Sequence, residues 1–238
     1  MHSVKFADDT GMVGKISQDN YTDYLVEIDR FVHYCKENYL HLNVGKTREM
    51  LIDFRRNAKT PDPVVIDGAE VERTYTYTYF GTRLDNKLKF CDNVDSIVKK
   101  ANSRMYCLRK LRSFDVNPNI LSMFYSASIL SILSFGIVCW GGEISGHDKS
   151  RLEKIVKKAG RIIGETQLSI EELYDRRLSD KLRHILSDTT HPLYNDFDNN
   201  RIDRSGRLRV PRTNTKRYNM SFLPRTTSIF NSKFYHRT

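Results

Sequence analysis

Residues 120 to 140, ILSMFYSASILSILSFGIVCW, run for 21 positions without a charged side chain. Such a segment is stable only threaded through a bilayer or buried among other helices. Five serines and Gly136 dilute the run, and the sequence on either side carries charge-bearing helical patterns. The expectation is a central helix of a bundle, with membrane insertion the weaker reading.

Periodicity organises the rest. Residues 2 to 15 place two β-prone runs around Asp8-Asp9, a pattern for a hairpin with carboxylates at its tip. Tyr21, Leu25, Ile28, Val32, Cys35 and Tyr39 recur at four and three, the spacing of one helix face. Leu40, Leu42 and Val44 alternate as in a strand, and Met50 to Phe54 reads as another. A β meander follows from Val64, through an Asp67-Gly68 turn and the Thr/Tyr alternation of 74 to 79, to Leu84. There the period changes from two to 3.6: Val94, Val98, Ala101, Met105 and Leu108 form an apolar helix face. Further helices are expected after Pro118, over Lys149 to Ile163, and from Ser169-Ile-Glu-Glu172, which has capping-box spacing. The fold class expected is thus α+β: residues 1–84 with hairpins and one long helix, 85–190 an α-helical bundle, and 191–238 a basic, largely irregular tail.

Charge sharpens that division. The net charge is +10, and residues 201–238 hold ten basic side chains against Asp203 alone. With 39% hydrophobic and 11% aromatic residues, the rest has enough apolar surface to fold. Lys5, Asp8 and Asp9 break any apolar leader. Cys35, Cys91, Cys107 and Cys139 are too widely spaced for a disulfide scaffold or a Cys-x-x-Cys site. They read as reduced, buried thiols of an intracellular protein, cytoplasmic or nuclear.

Two adjacent carboxylates repel unless a divalent cation offsets them, which makes Asp8 and Asp9 a candidate Mg²⁺ site; ordinary solvated turn residues are the bland alternative. Phe6-Ala7-Asp8-Asp9 resembles the aromatic-Ala-Asp-Asp signature of reverse transcriptases. Leu40-His-Leu-Asn-Val-Gly-Lys46-Thr47 is similar to the next palm motif, and Tyr79-Phe80-Gly81 to the primer-grip hairpin, with Phe80 in place of Leu. In this order they resemble a non-LTR, LINE-type retrotransposon enzyme, and Leu84 to Arg112, Trp140-Gly141-Gly142 and the arginine-rich ending resemble its thumb and terminus.

That resemblance implies a partial polymerase-like palm followed by a helical thumb-like domain. Asp8 and Asp9 would be ligands of two Mg²⁺ ions, and Lys46 would approach an incoming triphosphate. Tyr79, Phe80 and Gly81 would meet the primer. A third palm aspartate and the fingers lack counterparts, since seven residues precede Asp8 and Asp53 and Asp67 fit a strand edge and a turn. The implied protein is a truncated RNA-directed DNA polymerase without activity alone. Gly45-Lys46-Thr47 ends no phosphate loop, because position 40 is Leu40.

Basic helices supply a second candidate site. Arg151, Lys154, Lys158 and Arg161 repeat at three and four opposite an apolar face, and Lys99 and Lys110 share an outward line on the preceding basic helix. Such stripes engage phosphates without regard to sequence when they are more than a solvated face. In the tail, arginines including Arg207, Arg209 and Arg212 interleave with aromatics, a combination that grips phosphates and stacks on bases. The partners expected are RNA, DNA or an RNA–DNA duplex. A non-catalytic binding or interaction module, in which Asp8 and Asp9 have no task, is the alternative. A weaker likeness joins Leu84 to Arg112 to the N-terminal helical segment of AlkB homologue 8 proteins. No histidine has Asp two residues later, so no iron dioxygenase site comes with it.

Overall fold

The structure, a computed structural model, describes residues 2–56, 60–198 and 207–234. It divides into two units: Met1–Tyr77 with Asp85–Lys87, and Thr78–Leu84 with Leu88–Thr238.

In the first unit, β1 (His2–Phe6) and β2 (Asp9–Val13) pair antiparallel with Phe6 opposite Asp9. The turn is Ala7-Asp8, so Asp9 opens a strand and does not share the tip. Helix α1 (Thr22–Glu37) buries Ile28 and Cys35. Tyr39 lies past its end at positive φ and is 91% exposed, off the face its spacing predicts. The unit's small core joins Ile28 to Val64, Ile66 and Val71, with Tyr24, Val32, Leu42 and Val44 packed around them.

The expected meander is instead a set of two-stranded pairs. β3 (Arg48–Glu49) runs parallel to β6 (Glu72–Arg73), and β4 (Val65–Ile66) turns through Asp67-Gly68 into β5 (Ala69–Glu70). β7 (Thr76–Tyr79) and β8 (Thr82–Asp85) make the last pair. Neither 40–44 nor 50–54 is a strand. Alternation supplies the side-chain pattern, but a strand also needs a ladder partner for its backbone. Residues 53–55 are held by side chains instead: Arg55 bridges Asp53 (2.7 Å) and Asp19 (2.5 Å), and Lys87 donates to the Asp53 carbonyl at 2.6 Å. The Arg55 hydrogen bonds pull the Asp53 carboxyl down to about 2.

The second unit is a helical bundle. Helix α2 (Cys91–Ser113) directs Val94, Ile97, Ala101, Met105 and Leu108 inward. The uncharged segment is broken into α3 (Pro118–Phe124), π-helical turns over Tyr125–Leu130, α4 (Ser131–Ser134) and α5 (Ile137–Trp140). Among its buried side chains Leu121, Tyr125, Ile129, Leu133 and Ile137 are spaced by four, and Trp140 follows after three. On an α-helix that spacing drifts by about 40° per step. The wider π turns rotate less per residue and take the drift back, so one stripe stays inward. By length and composition the segment is apolar enough to cross a membrane (mean hydropathy 1.8). Here the extended Phe135 and left-handed Gly136 (φ 60°) interrupt it, and Trp140 Nε1 donates across the break to the Phe135 carbonyl at 2.9 Å.

Helix α6 (Gly146–Ile163) starts at Ser145, whose hydroxyl accepts from the Asp148 N–H. The capping box forms on α7 (Ile170–Ser187): Ser169 Oγ accepts from the Glu172 N–H at 3.1 Å, and Glu172 Oε2 accepts from the Ser169 N–H at 2.8 Å. One apolar core joins α2, the uncharged segment, α6 and α7.

The tail departs from expectation. It contains α8 (Tyr194–Asp198), α9 (Lys216–Met220) and α10 (Phe222–Phe234), and α10 packs on α7. Phe197 and Leu208 join Leu182 and Ile185 in a second core covered by Phe222, Leu223 and Phe230. Asn231 clips Leu208 in place, Nδ2 donating to its carbonyl at 2.7 Å and Oδ1 accepting from its N–H at 3.0 Å. Arg201 and Arg204 fall outside the described residues. The cysteines also differ from expectation: Cys35 is buried, whereas Cys91, Cys107 and Cys139 are exposed.

Candidate nucleic-acid interface

Asp8 and Asp9 are both exposed, and Lys46 sits in a separate turn where its N–H donates to Asn43 Oδ1 at 3.0 Å. Among the described residues no hydrogen bond or ion pair joins Lys46 to either aspartate, and no cluster of three His, Cys, Asp or Glu side chains could hold a metal. Mg²⁺ is held by one or two carboxylates completed by water and phosphate oxygens; Asp8 and Asp9 offer the carboxylates, with no third protein ligand clustered beside them among the described residues. The Tyr79 and Phe80 rings meet at 4.3 Å between centroids, tilted by 45°, and Phe80 and Gly81 take positive φ as a tight hairpin requires. A Cβ on Gly81 would lie 3.1 Å from the Phe135 ring, so that glycine serves the turn and its packing.

The basic helices do come together. Arg151 Nη1 lies 2.6 Å from Asp95 and 3.0 Å from Asp148, so this member of the expected stripe is spent on an internal ion-pair triad. The triad also gives the register. Asp95 and Arg151 each lie near the start of their helix, α2 packs on α6, and α3 packs on both. Asn119, Ser122 and Met123 of α3 share a cleft with Glu165, just past the end of α6. The two helices therefore run side by side in the same direction. At about 1.5 Å per residue, Lys154 falls level with Val98, Lys158 with Asn102, and Arg161 with Met105, the residue before Tyr106.

Acidic residues vanish along this flank. Residues 96–114 carry Lys99, Lys100, Arg104, Arg109, Lys110 and Arg112, and residues 154–164 carry Lys154, Lys157, Lys158 and Arg161; neither stretch contains Asp or Glu. All ten are exposed, and among the described residues none is in an ion pair. Val98 of α2 and Ile162 of α6 are half-buried and pack against the apolar core. The sequence did not single out Lys100, Arg104, Arg109, Arg112 or Lys157, nor Tyr106, a ring 57% exposed amid cations. Counting acids between cations along each helix would have found the patch.

The tail cations are less available than expected. Arg207 has an internal partner, and Arg225 Nη2 lies 3.1 Å from Asp175. Arg209 and Arg212 remain exposed, on a segment anchored by Leu208.

One family model meets this surface. Residues 92–131 match the N-terminal region of alkylated DNA repair protein alkB homolog 8. The match covers α2, α3 and the π-helical turns and ends at the first residue of α4. No curated protein and no solved structure matches the chain.

This overturns the retrotransposon reading. No reverse-transcriptase family or relative matches, and the segment taken as a thumb is the one that aligns with the alkB homolog 8 region. The LINE-type assignment, the polymerase chemistry and the roles it lent Asp8, Asp9, Lys46 and the 79–81 hairpin have no remaining support. Short motifs in the right order arise readily in a hairpin, a helix and a turn, because each satisfies a local need: Asp and Gly for tight turns, Asn43 to cap the turn before Lys46.

Proposed function

We propose that the chain is a non-catalytic nucleic-acid-binding module whose working surface is the acid-free flank of α2 and α6. The observation that carries this reading is the set of ten exposed cations on two packed helices with no intervening carboxylate. Side chains so placed repel one another, and a polyanion relieves that repulsion while releasing its own counterions. The family name matched over 92–131 belongs to a protein of alkylated-DNA repair, which agrees with a nucleic-acid setting. Contacts of this kind recognise phosphate and leave base sequence unread.

The test is fluorescence anisotropy of labelled oligonucleotides over a salt series. Binding of the intact chain should weaken steeply as salt rises, in the non-specific range of roughly 10⁻⁴ to 10⁻⁶ M near physiological salt. The triple variant Lys154→Glu, Lys158→Glu, Arg161→Glu should lose most of the affinity and flatten the salt slope. A charge-matched control, Lys15→Glu, Arg176→Glu, Arg177→Glu, changes the same net charge at exposed positions elsewhere. Equal losses in both variants would reduce the surface to bulk charge and refute the assignment.

A further inference from the structure

We propose that the occupant of the α2–α6 flank is a single strand of nucleic acid, one base of which stacks on Tyr106. This rests on the nucleic-acid reading and narrows it. Tyr106 is 57% exposed, lies one residue beyond the level of Arg161, and is followed one turn later by Arg109 and Lys110. On the same two helices Val98 and Ile162 are half-buried and pack against the apolar core. Cations on both rims hold phosphates, and an exposed ring between them offers a face to any base, whatever its identity.

Geometry argues against a duplex as the preferred ligand. Packed helices lie about 8–10 Å apart, whereas the major groove of B-DNA, about 12 Å wide, admits one helix. The α2–α6 pair meets a duplex only at its rims, and Tyr106 cannot reach a base face without unstacking it. A lone strand lies along the furrow with its bases free to turn toward the ring. The acid-free run on α6 spans about 15 Å, room for a few nucleotides.

The experiment compares a labelled oligothymidylate with a duplex of the same length, using the full chain. Single-strand binding should be the tighter. Tyr106→Ala should weaken it roughly five- to a hundredfold while leaving duplex binding unchanged, and Tyr106→Phe should restore it, since stacking needs the ring and not the hydroxyl. Independently of any variant, ultraviolet cross-linking of a 5-iodouracil oligonucleotide should map to the peptide bearing Tyr106. Equal affinity for strand and duplex, with Tyr106→Ala affecting neither, would overturn the stacking inference and leave the nucleic-acid reading standing. Absence of binding to both oligonucleotides at low salt would overturn both.

Discussion

Asp148 is 4% exposed, and its carboxylate accepts from the Ser145 hydroxyl at 2.8 Å and from Arg151 at 3.0 Å. Burial by itself raises its pKa, but these two partners outweigh it and hold the group below the ordinary aspartate value. A depressed carboxylate contributes stability that is full above the unfolded-state pKa and lost as pH falls through the native one. Arg151→Met removes one partner, so the loss should begin at a higher pH. The expected cost near neutrality is about 1–2 kcal/mol, modest because Arg151 keeps 30% of its side chain in water. Acid titration followed by circular dichroism measures both; an unchanged acid midpoint would contradict the triad. The spacing that marked Arg151 as part of a stripe was readable, whereas its partner Asp95, on another helix, was not. Tyr125 presents the opposite case. Its hydroxyl is buried without a partner among the described residues, and burial, with the charge of Glu153, pushes the phenol up to about 12. Tyr125→Phe removes a desolvated group and should leave the melting temperature equal or higher. A clear drop would reveal a partner for the hydroxyl.

Helix α10 shows what hides an element from its own sequence. Phe222, Thr226 and Ile229 recur at four and three, as do Leu223, Thr227 and Phe230, but threonine reads as polar. Inside the fold Thr226 and Thr227 are 1% and 2% exposed, and the Thr227 hydroxyl donates to the Leu223 carbonyl at 2.9 Å. That back-bond satisfies the hydroxyl and lets its methyl pack as valine would. Strands failed in the opposite direction: 40–44 alternates and 50–54 is largely apolar, but among the described residues neither finds a ladder partner. The element-scale prediction concerns Gly142. A Cβ there would clash with the Met220 carbonyl oxygen and lie 2.7 Å from the Tyr174 hydroxyl. Gly142→Ala must push α9 away, because backbone cannot swing aside as a side-chain tip does. A loss of about 1–3 kcal/mol is expected, read by thermal melting. A melting temperature equal to the parent's would show that α9 does not rest on this turn.

At the scale of the molecule, the net charge of +10 invites a picture of a neutral body with a basic tail. The helical unit instead carries ten exposed cations on two packed helices, with the compensating acids placed elsewhere. Truncation after residue 200 tests the folded state of the tail. It removes α9 and α10, uncovering Leu182, Ile185 and Phe197, which are at most 1% exposed in the intact chain. The shortened protein should melt lower and bind a hydrophobic dye; an unchanged melting curve without dye binding would show that the tail is dispensable. Charge substitutions at Arg209 and Arg212 in the intact chain separate tail charge from tail packing. By itself the sequence determined the helices α1, α2, α6 and α7 and the Ser169 cap, because a 3.6-residue apolar repeat and a capping residue act within one segment. It also determined that 120–140 must be covered on most of one side. Tertiary structure alone decided which strands find partners, how the π-helical turns keep that stripe inward, that the tail folds over α7, and that two basic helices lie side by side. Those outcomes depend on groups distant in the chain, whose pairing no local periodicity records.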